Sequence, residues 1–177
     1  MKYLLLIVAI SLSLAGCSEK KPGETATPPS LTTPKTPPSF IKATTERPFT
    51  IPVAQDSTVA CAIDWVNDKT AQEATTPITK KARVRLVGWA GNVKAGTSPQ
   101  EVFVELDGPS KFYLKASSGL KRPDVASYFK KSGLESSGWE VYADLSGLAT
   151  GTYKARVIQV NGQSDSACDP KRPIVIS

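Results

Sequence analysis

The feature that most restricts the fold of this chain is a pair of short segments in which apolar and polar residues alternate. A three-residue turn that begins with glycine joins them. Within residues 101–116, apolar side chains occupy every second position on either side of that turn, a pattern typical of a β-hairpin. Its register would place Asp107 opposite Lys111 and Phe103 opposite Lys115. Opposite charges that face each other across two strands stabilise such a register, so the sequence predicts antiparallel β-structure here.

Similar short segments continue along the chain from about residue 50. The further predicted strands are residues 49–53, 60–66, 82–90, 139–145, 153–160 and 173–176. In the segment 153–160, a β-bulge is needed to bury both Ile158 and Val160. One helix is predicted over 123–131, because proline suits its first position and lysines suit its last turn. About seven to nine short strands with one helix predict an all-β fold, a two-sheet antiparallel sandwich.

The segment before this domain has a different composition. Seven of the 14 prolines lie between Ser18 and Pro48, separated largely by threonine and with few apolar residues. Such a segment cannot bury enough surface to offset the entropy lost on ordering. We therefore predict an extended spacer, although a proline ligand for a partner's groove stays open. The predicted boundaries are 17–48 for the linker and 49–177 for the folded domain.

The amino terminus carries a targeting segment. A lysine at position 2 precedes an apolar run that is too short to span a bilayer comfortably. The residues Leu14-Ala15-Gly16-Cys17 resemble the lipobox of bacterial lipoproteins. That resemblance implies a signal peptide over 1–16 and acylation of Cys17, which would attach the mature protein to a membrane. Because Ser18 rather than aspartate follows, similarity to Gram-negative lipoproteins implies the outer membrane.

The cysteines support an extracytoplasmic location. The chain has three cysteines, and lipid on Cys17 would leave Cys61 and Cys168 as a pair. In an oxidising compartment such a pair is typically bridged. We predict a Cys61–Cys168 disulfide.

Composition argues against several kinds of chemistry. The chain has no histidine, which removes the commonest general base and metal ligand. Its net charge of +6 is spread along the chain, whereas nucleic-acid binding needs a basic patch. The Asp64/Asp68 and Glu105/Asp107 pairs are the only hints of a hydrolase. The only hint of a calcium site is the group Asp64, Asn67 and Asp68, which lacks the spacing of an EF-hand. We predict no catalytic residues, no metal, no cofactor and no nucleic-acid partner.

Three motifs of the second half resemble those of Ig-like β-sandwich modules in bacterial envelope proteins. The motifs are Gly88-Trp89-Ala90, Arg122-Pro123-Asp124-Val125, and Asp144-Leu145-Ser146-Gly147-Leu148 followed by Gly151-Thr152-Tyr153. The resemblance implies an Ig-like sandwich in which Tyr153 forms a tyrosine corner, its hydroxyl bonding back to the backbone. It implies no catalytic residues.

Aromatic side chains give the best indication of a binding surface. If the alternation holds, Trp89, Phe103, Tyr113 and Tyr142 point away from the core. They either form an exposed platform or are covered by the helix and long loops. We predict a non-enzymatic, lipid-anchored envelope protein that presents an interaction module to a protein partner. A carbohydrate-binding module for an envelope glycan is the alternative, and a hydrolase is a distant one.

Overall fold

The computed structural model describes residues 39–49, 54–70, 78–79, 83–162 and 165–177. All of these belong to the second of two compact units, which spans Thr36–Ser177. The predicted signal peptide, the lipidation site Cys17 and the linker as far as residue 38 lie outside the described residues, as do positions 50–53 of the first predicted strand.

The described part of the chain is mostly β-structure. Its strands are β1 (Ile41–Lys42), β2 (Ala54–Gln55), β3 (Val59–Val66), β4 (Lys69–Thr70), β5 (Arg83–Asn92), β6 (Glu101–Asp107), β7 (Lys111–Leu120), β8 (Gly138–Asp144), β9 (Gly151–Val160), β10 (Ser166–Cys168) and β11 (Pro173–Ile176). One α-helix, α1 (Pro123–Phe129), and a 3₁₀ turn (Ser132–Leu134) connect β7 to β8. The prediction of an all-β fold with one short helix is confirmed.

The strands form one curled sheet with two halves. Hydrogen bonds give the order β2-β10-β9-β6-β7-β8-β5-β3-β4, with β1 beside β8 and β11 beside β9. Strand β7 belongs to both halves, because residues 111–116 pair with β6 and residues 117–120 pair with β8. We call the first the β6–β9 half, because β6 and β9 are its central strands; β2, β10 and β11 also belong to it. We call the second the β5–β8 half, because β5 and β8 are its central strands; β1, β3 and β4 also belong to it. The division into two separate sheets stays a prediction, since β7 continues from one half into the other.

The β6–β7 hairpin has the predicted register. Asp107 lies opposite Lys111 and Phe103 lies opposite Lys115. The Lys111 Nζ atom is 3.4 Å from Asp107 Oδ2, so the charges contact each other across the turn as expected. Local patterning was sufficient here because the turn alone determines which residues of the two strands meet.

The main core lies between the two halves and includes the fully buried side chains of Trp139 and Tyr153. The Tyr153 hydroxyl donates a hydrogen bond of 2.9 Å to the Ala149 carbonyl oxygen, as the Ig-like resemblance implies. A Cβ atom at Gly88 would lie 2.0 Å from the Ala62 carbonyl oxygen and 2.6 Å from the Trp139 ring. Glycine is therefore required where β5 passes between β3 and this tryptophan.

A second, smaller core covers the outer side of the β6–β9 half. Its buried members are Phe49, Phe103, Tyr113, Ile158 and Ala167. The prediction of a β-bulge within 153–160 is wrong, because β9 pairs with β6 in an unbroken register. Ile158 is instead buried on the outer side, since that side of the sheet is covered as well.

The outer side of the β6–β9 half is covered by residues 39–49, which we call the strap. Its strand β1 pairs in parallel with β8. The backbone N–H of Thr44 donates to the Tyr113 carbonyl oxygen at 3.1 Å, and the Tyr113 N–H donates to the Thr44 carbonyl oxygen at 2.8 Å. Phe49 at the end of the strap is only 9% exposed. The folded part of the chain thus begins before the predicted boundary at residue 49.

The helix ends earlier than predicted. Lys130 adopts a left-handed conformation with φ of 54° and closes α1 after Phe129. Val125 is the buried residue of the helix. Because only one of its side chains is buried, α1 contributes little to the core.

A disulfide joins the two halves. Cys61 of β3 and Cys168 of β10 are bonded, with 6.0 Å between their Cα atoms and 107 residues of sequence separation. The predicted bridge is confirmed. It connects strands that lie near opposite ends of the sheet order and are not paired with each other.

Candidate functional site

The outward side of the β5–β8 half carries a group of large side chains that are only half-buried. Trp89 and Arg85 project from β5, and Tyr142 and Glu140 project from β8. Arg85 lies directly opposite Tyr142, and residues opposite each other in neighbouring strands share one face of the sheet. We call this surface, made of Arg85, Trp89, Glu140 and Tyr142, the aromatic face.

Arg85 is held in place at the centre of the aromatic face. Its Nη2 atom lies 2.9 Å from Glu140 Oε2, and its guanidinium carbon lies 5.6 Å from the centre of the Tyr142 ring. Because an ion pair and a ring both restrain it, the guanidinium loses little further entropy when a partner binds. The aromatic face is therefore partly pre-organised.

Other aromatic rings extend the aromatic face at both ends. Phe40 of the strap meets the edge of Tyr142, with ring centres 5.6 Å apart. At the other end, the Trp89 and Phe129 rings are 5.5 Å apart, and the Phe129 and Tyr128 rings are 4.9 Å apart. Tyr128 is 79% exposed, the one exposed large hydrophobic side chain among the described residues. The helix thus contributes Phe129 beside Trp89 and, next to Phe129, the exposed ring of Tyr128.

The structure separates the four aromatic residues that the sequence singles out. Trp89 and Tyr142 share the aromatic face, whereas Phe103 and Tyr113 are 5% and 6% exposed on the other half. The prediction that Phe103 and Tyr113 belong to an exposed surface is wrong. Phe49 covers them, with ring-centre distances of 5.9 Å and 5.6 Å, and burial raises the pKa of Tyr113. The covering ring belongs to the last residue of the strap, whose other residues, 39–48, the sequence assigns to the linker.

Sequence reasoning missed one aromatic residue, Trp65 of β3. Simple alternation would place it on the same side as Ile63, which is buried. The register of β3 against β5 shifts between Ile63 and Trp65, so that Trp65 lies opposite Val87 on the outward side while Val66 points inward. A β-bulge reverses the alternation in this way, and β3 alone carries no pattern that would reveal it.

Trp65 also lines a groove of about 510 Å³ between β3 and the segment 170–172. The residues around this groove are Ala62, Ile63, Asp64, Trp65, Thr70, Pro170, Lys171 and Arg172. A neighbouring cavity of about 330 Å³ shares Lys171 and Arg172 as part of its lining. The first volume lies within the range of about 300–1,000 Å³ that is usual for small-molecule sites.

One wall of the groove carries a carboxylate held by an arginine. Arg122 donates through Nη1 to Asp64 Oδ2 at 2.6 Å and through Nη2 to Asp124 Oδ2 at 2.7 Å. Burial opposes the charge on Arg122, but the bonds and charges of Asp124 and Asp64 prevail and raise its pKa. Asp64 is thus fixed in orientation beside Trp65.

The opposite wall carries positive charge. Lys171 contacts Asp169 Oδ2 at 3.1 Å, and Lys154 of the neighbouring cavity contacts the same oxygen at 3.3 Å. Arg172 lies beside them, half-buried, and burial lowers its pKa. An arginine stays protonated at neutral pH even so.

We expect the Arg122–Asp124 contact to make a small, pH-dependent contribution to stability. The hydrogen bond from Arg122 holds the pKa of Asp124 below its ordinary value of 3.8. A carboxylate with a depressed pKa stabilises the fold above pH 3.8, and this stabilisation is lost as the pH falls through its folded-state pKa. Because Asp124 is largely exposed, Asp124→Asn should lower the free energy of unfolding by only about 0.5 kcal/mol at pH 7. Urea unfolding at several pH values checks this: the difference should shrink below pH 3.8, and one that grows in acid would contradict it.

Three of the four acids considered for catalysis, Asp64, Glu105 and Asp107, are engaged in ion pairs. Glu105 is 3% exposed and accepts a hydrogen bond of 2.9 Å from Arg156 Nε, with Lys111 Nζ at 3.5 Å. Asp64 is bound to Arg122 as described. Among the described residues, no three histidine, cysteine, aspartate or glutamate side chains converge in a way that could hold a metal ion.

Comparisons with known protein families, with curated proteins and with solved structures find no match to this chain. Within the ranges that the structure covers, no helix has the length and apolar character to cross a membrane.

Proposed function

We propose that this chain is a non-enzymatic, lipid-anchored protein of the bacterial outer membrane whose β-domain binds a protein partner of the cell envelope through the aromatic face. The observation that carries this proposal is the composition of that face. Tryptophan, tyrosine and arginine are the residues most enriched at the energetic centres of protein interfaces, and Trp89, Tyr142 and Arg85 occur together there. The Tyr153–Ala149 hydrogen bond supports describing the domain as an Ig-like module.

The anchor follows from the lipobox resemblance. Acyl chains on Cys17 would hold the protein at the membrane, because each buried methylene contributes about 0.8 kcal/mol and several chains together make release negligible. The predicted spacer of roughly thirty residues, extended at about 3.1 Å per residue, would reach at most about 90 Å. Such a tether confines the domain to the envelope, where a partner is met at high local concentration.

Labelling with radioactive palmitate tests the anchor. The wild-type chain should incorporate label and fractionate with the outer membrane. Cys17→Ser should incorporate none and appear in the soluble fraction. A Cys61→Ser chain, which keeps the lipobox, is the matched control and should still be labelled. Unlabelled wild-type protein would refute the lipoprotein assignment.

Site-specific photo-cross-linking in intact cells tests the binding face. A photoreactive phenylalanine analogue in place of Tyr142 or Trp89 should give a discrete adduct with a second protein. The same analogue at Lys115, which is 60% exposed on the other half of the sheet, should not. Adducts of equal yield from Lys115, or none from the aromatic face, would contradict the proposal.

A second candidate function is binding of an envelope glycan, and a different observation favours it. The groove beside β3 combines one face of a tryptophan with a fixed carboxylate in a concave site. Sugar rings stack on indole rings because their C–H groups face the negative π-surface, and carboxylates accept hydrogen bonds from hydroxyls. Trp65 and Asp64 provide both.

A further inference from the structure

We propose that the groove between β3 and the segment 170–172 continues into the aromatic face, and that the two together bind a neutral glycan chain several sugars long. This inference rests on the second proposed function and extends its site from the groove to Trp89. Its basis is the position of Trp65 and Trp89 on one side of the sheet. A glycan and the proposed protein partner would then compete at Trp89.

The two tryptophans are near neighbours on the outward side of the β5–β8 half. Trp65 of β3 lies directly opposite Val87 of β5. Val87 and Trp89 are two residues apart in β5 and project from the same side of the sheet. Trp65 and Trp89 are therefore diagonal neighbours on adjacent strands, a relation that separates two residues by about 7–8 Å. Both side chains are half-buried, so each indole ring keeps a part that a ligand can contact.

An ion pair joins the surroundings of the two tryptophans. A Cβ atom at Gly138 would lie 2.9 Å from Arg122 Cγ, so the arginine side chain lies over β8 at the point where Gly138 is opposite Trp89. Its Nη1 atom reaches Asp64 Oδ2 of β3 at 2.6 Å. Because β5 lies between β8 and β3, the side chain crosses the outward side of β5 to make this bond. Arg122 thus passes Trp89 and ends at Asp64, the neighbour of Trp65.

The two arginines of this surface are paired within the protein. Arg122 is bound to Asp64 and Asp124, and Arg85 is bound to Glu140. A ligand therefore needs no charge of its own to bind beside them. Its hydroxyl groups can use the lone pairs and N–H groups that these ion pairs leave, while its rings stack on indole through their C–H groups. A neutral sugar chain offers both kinds of contact.

The position of Trp89 indicates a ligand longer than one sugar. Trp65 lines the groove of about 510 Å³, whereas Trp89 is not among the described residues that line it. A ligand confined to the groove can stack on Trp65 alone. A chain that leaves the groove along the outward side of the sheet meets Arg122 and then Trp89. Chain length is therefore the property that separates binding in the groove from binding along the whole surface.

Isothermal titration of the full-length protein, in a detergent without sugar headgroups, tests the proposal. The probes are a disaccharide and a hexasaccharide of β-1,4-linked glucose, and the same pair of β-1,4-linked N-acetylglucosamine. In at least one series the hexasaccharide should bind about fivefold more tightly, the usual worth of one more aromatic contact. Trp89→Ala should remove this advantage and leave binding of the disaccharide unchanged. Trp65→Ala should weaken binding of both.

Tryptophan fluorescence shows which ring the ligand contacts. The chain has three tryptophans, and Trp139 is fully buried, so a direct response to ligand comes from Trp65 or Trp89. Trp65→Phe keeps a ring in the groove, protects the fold and leaves Trp89 as the reporter. At saturation the hexasaccharide should still change the emission of this variant, and the disaccharide should not.

A control variant and two outcomes complete the test. Lys115→Ala, a change at a residue that is 60% exposed on the other half of the sheet, should leave the affinity for both oligomers unchanged. Equal affinity for disaccharide and hexasaccharide, with no effect of Trp89→Ala, would overturn the extended surface but leave glycan binding in the groove in place. No binding of either series by the wild-type protein would overturn both.

Discussion

Replacing Cys61 and Cys168 together by serine should lower the free energy of unfolding by about 4 kcal/mol. The bond closes a loop with 107 residues of sequence separation, and a cross-link over so long a loop removes much of the conformational entropy of the unfolded chain. In the folded protein it also holds β3 against β10, two strands that belong to different halves of the curled sheet. Its loss should therefore act on both the folded and the unfolded state.

Urea unfolding measures this effect. A chain carrying Cys17→Ser gives a soluble reference, and the two further serines are added to it. Treatment of the reference with a reductant should reproduce the loss, which separates the effect of the bond from that of the substitutions. A decrease of less than about 1 kcal/mol would show that hydrogen bonds alone hold the halves together.

Phe49→Ala should be the most damaging single change in the strap, lowering the free energy of unfolding by about 3 kcal/mol. Phe49 is 9% exposed and contacts the rings of Phe103 and Tyr113. Its removal opens a cavity over both rings and weakens the attachment of the strap. Two buried aromatic rings should then become accessible to solvent.

Phe40→Ala is the matched control for this prediction. Phe40 is also in the strap but only half-buried, and its main ring contact is with Tyr142. We expect a cost of about 1 kcal/mol, the usual worth of a partly exposed aromatic pair. Urea unfolding compares the two variants, and binding of a hydrophobic dye should increase for Phe49→Ala alone. Equal losses would mean that the second core contributes little.

Several features of the fold were predictable because they depend on neighbours in the sequence. The hairpin register followed from a short turn and alternating residues, and the start of α1 at Pro123 followed from the preference of proline for the first position of a helix. The Cys61–Cys168 bridge followed from counting, since the predicted lipid on Cys17 would leave a single pair. For the register, the helix start and the disulfide, one rule about neighbouring residues or about composition was enough to select one structure among the possible ones.

The candidate surfaces were less predictable because their exposure depends on distant segments. Trp65 faces outward only because β3 shifts its register against β5. Phe103 and Tyr113 have the alternation of outward residues, yet the strap, more than fifty residues earlier in the chain, buries them. No pattern within β6 or β7 records that cover. The aromatic face therefore retains Trp89 and Tyr142 from the predicted set and loses the other two.

By itself, the sequence determined the all-β character of the domain, its hairpin, its short helix α1 and its disulfide, because period-two alternation, turn residues and cysteine number act locally or by elimination. The tertiary structure decided which aromatic side chains are accessible and where opposite charges line a groove. Those properties arise from contacts between strands and the strap that are far apart in the chain. Burial depends on everything that packs against a residue, and alternation within one strand reports only which side that residue faces.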